Sequence, residues 1–180
     1  MDPELVIRAQ RGDGEAFASL AVACGDRLHA IAHRILRDVD LAEDATQQAL
    51  LAIWQNLPRL RDPARFDAWS YRLLVNACYD EGRRRGTWIP NLVLHEAVSA
   101  PDAIGQVHDR DQLEQGFRRL SIDHRAVVVL HTYAGLSLDE IADALGTRPG
   151  TIRSRLHYAV RAMRAALDAD ERPAVPEVAP

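Results

Sequence analysis

The chain has 180 residues, 47% of them hydrophobic and 27% charged, and a formal net charge of −4. That length suits one ordinary domain or two small ones, and that balance excludes a disordered or fibrous chain. No apolar run reaches the roughly 20 residues that span a bilayer. The opening MDPELVIRAQ is acidic where a secretory signal is basic and then apolar, so the cytoplasm is the expected compartment.

The first 58 residues carry five Arg against nine acids, net −4, and predict helices. After RGDG (Arg11 to Gly14), Phe17, Leu20, Ala21, Cys24, Leu28, Ile31, Ala32 and Ile35 follow helical spacing. Cys24 and Cys78 stand far apart without CxxC spacing and read as buried fillers. His29 and His33, four residues apart with Cys24 nearby, offer no obvious fourth zinc ligand, so no metal and no cofactor is expected. Asp40 and Glu43 fit a capping box that opens a helix running to about Leu57, where Pro58 stops it.

Residues 59–85 reverse the sign, with seven Arg against four acids, net +3. RLRDPAR (Arg59 to Arg65) predicts a loop and Asp67 to Arg84 an amphipathic helix. Here Phe66, Trp69 and Tyr71 stand beside Arg61, Arg65 and Arg72. Aromatic faces with guanidinium groups are what single-stranded DNA binding requires, since stacking contributes about 1–3 kcal/mol per base and arginine adds phosphate attraction. Arg83, Arg84 and Arg85 suit both the negative end of the helix and a phosphate backbone.

From Gly86 to about Asp111 prolines, glycines and scattered polar residues break the periodicity, which predicts a linker dividing the chain in two. Helices are expected again near Gln112 to Leu120 and Asp123 to Ala134. Residues 86–147 carry four Arg against nine acids, net −5, whereas residues 148–165 carry five Arg and no acid, net +5. Ser137 and Glu140 form a second capping box, and Gly146 suits the left-handed end of a short helix. Thr147 or Arg148 caps the next helix and Pro149 fits its first turn, which together make a helix-turn-helix. Ile152, Leu156, Ala159, Val160 and Met163 face inward at steps of three and four. Arg148, Thr151, Arg153, Ser154, Arg155, His157 and Tyr158 then crowd the outer N-terminal part, the part that reads bases in a major groove. The last residues, DADERPAVPEVAP, predict a disordered tail.

The run GTRPGTIRSRLHYAVRAMRAAL (Gly146 to Leu167), preceded by LSLDEIADAL, resembles region 4 of the extracytoplasmic-function group of sigma-70 factors. DLAEDATQQALLAIWQNLPRL (Asp40 to Leu60) and RFDAWSYRLLVNACYDEGRRR (Arg65 to Arg85) resemble the polymerase-binding and promoter-melting segments of region 2. The resemblance implies an all-α fold of two small helical domains, with region 2 over 1–86, a flexible linker over 87–111, region 4 over 112–168 and a tail over 169–180. It implies core RNA polymerase and promoter DNA as partners, often an anti-sigma protein, no bond chemistry by the chain itself and no insertion into a membrane. Carried onto this sequence, Asp44, Gln47, Gln48, Leu51 and Trp54 are the expected polymerase contacts. The loop Leu57 to Phe66 and the following helix, with Asn76, Asp80 and Arg84, are the expected minus-10 pocket; Asn76 is the candidate for a base edge, and Asp80 for orienting Arg84. The helix-turn-helix is the expected reader of the minus-35 element. The competing reading is a stand-alone helix-turn-helix regulator, which leaves the aromatic and arginine segment of the first half without a task.

Overall fold

Aspartate and serine side chains decide where most of the helices begin. The computed structural model describes residues 1–86 and 109–170, with side chains over 1–86 and 114–166. Its helices are α1 (Pro3–Gln10), α2 (Gly14–Leu36), α3 (Val39–Asn56), α4 (Phe66–Arg84), α5 (Asp109–Arg118), α6 (Ile122–Thr132), α7 (Leu138–Leu145) and α8 (Pro149–Asp170). Two short 3-10 turns, Leu57–Arg59 and Pro63–Arg65, link α3 to α4. Asp2, Asp13, Asp38, Ser121 and Ser137 stand in extended backbone and accept from amides in the first turns of α1, α2, α3, α6 and α7. Each such cap satisfies amides that the helix itself leaves free, a contribution of about 1 kcal/mol.

The expected cap at Asp40 is corrected: Asp38 accepts from the Leu41 amide at 3.0 Å, and Asp40 already lies inside α3. The reason is the preceding chain reversal, where Arg37 ends α2 in the left-handed region at φ 62° and hands Asp38 an extended backbone. Helix α1, not expected from sequence, is too short for periodicity to reveal. It is tied down by Gln10, whose amide donates to the carbonyls of Leu57 at 3.1 Å and Leu60 at 2.7 Å. Helix α5 starts at Asp109, earlier than expected, so positions 109–111 of the expected linker are helical while 87–108 lie outside the described residues. Positions 169 and 170 of the expected tail continue α8, and 171–180 lie outside the described residues as well.

The N-terminal bundle packs α2, α3 and α4 around Leu20, Leu28, Ile31, Ile35, Ala45, Ile53, Phe66 and Leu74, all buried. In the C-terminal half, Val127, Leu130, Ile141 and Ile152 are buried where α6, α7 and α8 meet, with Leu120, Val128 and Ala159 forming an adjoining cluster. The helix-turn-helix follows its sequence signals. Ser137 Oγ accepts from the Glu140 amide at 3.2 Å while Glu140 Oε2 accepts from the Ser137 amide at 2.8 Å, which completes the capping box. Gly146 takes the left-handed conformation at φ 61°, and the Thr147 amide closes onto the Ala142 carbonyl at 3.0 Å. The Arg148 carbonyl then receives the Thr151 amide at 2.9 Å, so Arg148 opens α8 ahead of Pro149. The two halves also pack on each other: α2 lies against α6, and α4 against α6 and α7.

At Gly116 α5 and α8 approach closely, because a Cβ there stands 3.0 Å from the Ala166 Cβ and 3.3 Å from the Met163 Cα. Gly116→Val should therefore destabilise the chain by about 1–3 kcal/mol through overpacking, read as a lower urea midpoint. His124 supplies a pH test: its Nδ1 lies 2.6 Å from Ser121 Oγ and its ring 4.7 Å from that of Tyr158. Burial, then the charge of Arg155, lowers its pKa below the ordinary 6.5. With the folded value below the unfolded one, the unfolded chain takes up the proton first, so this contribution is complete above pH 6.5 and is lost as pH falls through the folded pKa. In urea titrations at successive pH values, His124→Gln should flatten the decline of stability below that point.

Candidate nucleic-acid and partner interfaces

Helix geometry sorts the expected contacts of α3. At about 100° per residue, Asp44, Gln47, Leu51 and Trp54 fall within about 80° of the circumference. All four are exposed, and Leu51 and Trp54 are 57% and 46% accessible. Apolar side chains this open, flanked by Asp44 and Gln47, make a compact surface that a partner could cover. Phe17 of α2 supports it from below, its ring in edge contact with Trp54 at 4.5 Å. Gln48 stands at the border of this face and turns inward, donating its side-chain amide to Glu81 of α4.

Helix α4 carries a second line. Arg65, Trp69, Arg72, Asn76 and Arg83 recur at spacings of three, four and seven and share one side, within about 60° of arc. Arg65, Arg72, Asn76 and Arg83 are exposed and Trp69 is half-buried, so this side presents an amide and three guanidinium groups around a partly open ring. Arg61 is exposed in the loop just ahead, where Asp62 Oδ1 accepts from the Ala64 amide at 3.0 Å and fixes the turn. Phe66 and Tyr71, expected beside Trp69 as stacking rings, lie in the core at 0% and 2% exposure. Phe66 instead backs Trp69, with ring centroids 6.0 Å apart. Burial pushes the Tyr71 hydroxyl up to about 12, while the Arg27 guanidinium 5.3 Å over its ring works in the opposite direction.

The end of α4 departs from expectation in its pairing. Asp80 pairs with Arg83, its neighbour at three residues, whereas Arg84 pairs at 2.7 Å with Glu81. Glu81 is buried, and a buried carboxylate needs such partners; the Gln48 amide and the Arg84 guanidinium share one of its oxygens. Glu81 was missed from sequence, where an acid beside Asp80 at an arginine-rich helix end reads as a surface charge.

On α8, Ile152 and Ala159 are fully buried, which turns Thr151, Arg153, Ser154, His157 and Tyr158 outward. Arg148 is exposed at the turn. The exposed set carries bidentate donors, hydroxyls and an aromatic edge at the N-terminal end of a helix, the equipment for reading base edges and phosphates. Arg153 has an open ion pair with Asp139 at 3.6 Å, which solvent screens. Arg155 lies nearer the packed side and bonds Asp123 of α6 at 3.0 Å, with only 24% of its side chain exposed. Sequence reading placed Arg155 with the open residues; its partner, 32 positions earlier, leaves no local signature. His29 and His33 merely stack at 6.4 Å, and among the described residues no three His, Cys, Asp or Glu side chains gather as metal ligands.

Comparison with known proteins finds two regions of one family along the chain. Residues 20–87 match the family model for Sigma-70 region 2, and residues 110–163 match that for Sigma-70, region 4. The ECF RNA polymerase sigma factor SigL of Mycobacterium tuberculosis is 36% identical over 87% of this chain and 93% of its own length. SigW of Bacillus subtilis, another ECF RNA polymerase sigma factor, is 26% identical over 87% of this chain and 91% of its own. Among solved structures, CnrH in complex with the cytosolic domain of CnrY superposes with a TM-score of 0.68 at 26% identity, covering 94% of this chain and 99% of that one. The sigma factor RpoE of Bartonella quintana, in complex with the anti-sigma factor NepR, gives 0.64 at 26% identity over 86% and 98%. Both halves, in this order and along most of the chain's length, place it in the sigma-70 family, with the ECF RNA polymerase sigma factors.

Proposed function

We propose that the chain binds core RNA polymerase through the exposed α3 face, opens the minus-10 element on the α4 line and reads the minus-35 element with the start of α8. The observation that carries this reading is the coexistence on one chain of an open apolar stripe, Leu51 and Trp54, with two separate faces on which arginines are exposed, Arg65, Arg72 and Arg83 on the one and Arg148 and Arg153 on the other. A stand-alone regulator has no use for the α3 stripe. The polymerase performs nucleotide addition; this chain contributes binding, and Asn76, able to donate and accept, offers a base edge its partner groups. Holding an unstacked base costs a few kcal/mol, an amount that Trp69 and the flanking arginines can offset.

Among the described residues no helix is long and apolar enough to cross a membrane, and we assign the chain to the cytoplasm on its likeness to sigma factors. The sigma factor RpoE of Bartonella quintana is found in complex with the anti-sigma factor NepR, and we extend a partner of that kind to this chain.

The decisive experiment is reconstitution. Purified chain added to core polymerase should start transcripts at selected sites in a genomic fragment library, while tight duplex binding by the chain alone, with no initiation, would identify a stand-alone regulator. Leu51→Ala with Trp54→Ala should weaken core binding about 10- to 100-fold in a competition assay, as loss of exposed apolar anchors does. Arg153→Ala should cost holoenzyme binding about 1–3 kcal/mol at the upstream element and relax its base preference there. Arg72→Ala should weaken promoter binding without changing preference and lower the salt slope by about one.

A further inference from the structure

A cleft of about 500 Å³ is lined by His33, Arg34 and Arg37 from α2 and its end, by Glu114 and Phe117 of α5, and by Tyr133 after α6. Around it cations outnumber acids. Arg37 pairs with Glu114, and Arg118 reaches the same carboxylate oxygen at 3.4 Å, so one acid answers two guanidinium groups. Arg34 has no carboxylate partner among the described residues; it donates to the Ala30 carbonyl at 2.9 Å and lies 3.9 Å over the Tyr133 ring. Arg125 of α6 stands near enough to Arg37 for the two charges to act on each other. The Nε atoms of Arg37 and Arg125 are both buried without a hydrogen-bond partner among the described residues. Buried donors left unpaired are costly, and like charges held together more so. Burial, then the charge of Arg37, pulls the Arg125 guanidinium down to about 10, and burial, then Arg118, lowers Arg37 as well. Arg37 keeps its place from a left-handed backbone at φ 62°, which a residue with a Cβ adopts only when its surroundings hold it there. Strain, unpaired donors and unanswered positive charge converge on one hollow.

We propose that this cleft binds a small phosphorylated molecule, its phosphate held by His33, Arg34 and Arg37 and its apolar or aromatic body lodged against Phe117 and Tyr133. Arginine recognises phosphate because its planar fork offers two parallel bonds to two oxygens, and these charge-assisted bonds are strong where water is partly excluded. A phosphate at this place supplies the acceptors that the guanidinium groups lack and offsets the repulsion between Arg37 and its neighbours. The volume, with Phe117, Val128 and Val129 as apolar wall and a few polar groups converging on it, matches the class of small-molecule sites. A bare phosphate ion leaves most of such a cleft unfilled, so the ligand carries a body beside its charge. Glu114 competes with the phosphate for Arg37 and thereby limits the affinity. The site is separate from the arginines of α4 and from Arg148 and Arg153 at the start of α8, and it stands whether or not those faces contact DNA.

The test is calorimetric titration of the full chain, at fixed ionic strength, with adenosine 5′-diphosphate, inorganic pyrophosphate and adenosine as probes. The nucleotide should bind saturably with one molecule per chain, pyrophosphate more weakly, and adenosine not measurably. Arg34→Met, which keeps an unbranched stem over Tyr133, should weaken nucleotide binding about 10- to 100-fold, as loss of a hydrogen-bonded charge does. Glu114→Gln removes the competing carboxylate and should tighten it about three- to tenfold, an effect that a residue serving only the fold would not give. This second variant alters a half-buried side chain without changing its size, and so guards against a folding defect in the first. Arg161→Gln, on an exposed side of α8, should leave the affinity unchanged and separates a built site from general attraction to basic surface. Absence of saturable binding by either phosphate probe up to about 10 mM overturns the proposal. So do adenosine binding as tightly as its diphosphate, a Glu114→Gln chain that binds no more tightly, and an Arg161→Gln chain that loses as much as Arg34→Met. Pyrophosphate that binds as tightly as the nucleotide overturns the role given to Phe117 and Tyr133. Displacement of the nucleotide by a duplex of about 30 base pairs assigns the cleft to nucleic acid and overturns the small-molecule reading.

Discussion

Leu20, Leu28, Ile31 and Ile35 run along one side of α2, and the need to remove that side from water organises the molecule. Four fully buried side chains of this kind contribute about 1.5–3 kcal/mol each, more than any polar tie in the chain. Helices α1, α3 and α4 cover them from the N-terminal half, and α6 reaches them from the C-terminal half. The exposed faces of α3 and α4 are what this burial leaves outside. On α3 the inner face takes Ala42, Ala45, Ala49 and Ile53, small residues that bring the helices close and turn Leu51 and Trp54 outward. On α4 the inner face takes Phe66, Leu74 and Cys78, which leaves Arg72 and Asn76 in solvent.

The modest net charge conceals a division of labour among the arginines. Those of α2 face the other half of the chain, where their long stems cover apolar surface and their heads find a carbonyl, a ring and a carboxylate. Most of those on α4 and the start of α8 face solvent, and four of them pair with acids: Arg83 with Asp80, Arg84 with Glu81, Arg153 with Asp139 and Arg155 with Asp123. Guanidinium serves both purposes because it stacks, forks and never loses its proton at working pH. Which purpose a given arginine serves is decided by the helix face it occupies rather than by its type.

This is also where reading the sequence succeeds and where it stops. Local signals were legible: the Ser137 and Glu140 box, the left-handed Gly146 and the Pro149 start all depend on bonds within a few residues. The α3 contacts were expected from the family resemblance rather than from spacing, because Leu50, Leu51, Ile53 and Trp54 are all apolar and only the packing of α2 and α4 decides which of them stay open. The cap at Asp38 was not legible, since Asp38 and Asp40 are equally good acceptors and the choice falls to how α2 ends. Phe66 and Tyr71 illustrate the deeper limit. An aromatic beside an arginine has the same composition whether it faces a base or a core, and only the neighbouring helices decide. Pairs such as Arg37 with Glu114, or Arg155 with Asp123, join residues too far apart in the chain for any periodicity to register.

Glu81 joins two faces that otherwise have no common part. Its single buried carboxylate is shared by Gln48, at the margin of the apolar stripe on α3, and by Arg84, where α4 ends. Two donors on one oxygen cannot be rearranged independently; a tug on either is transmitted to the other. A change at the apolar stripe of Leu51 and Trp54 therefore has a path, one residue wide, to the guanidinium at the end of α4.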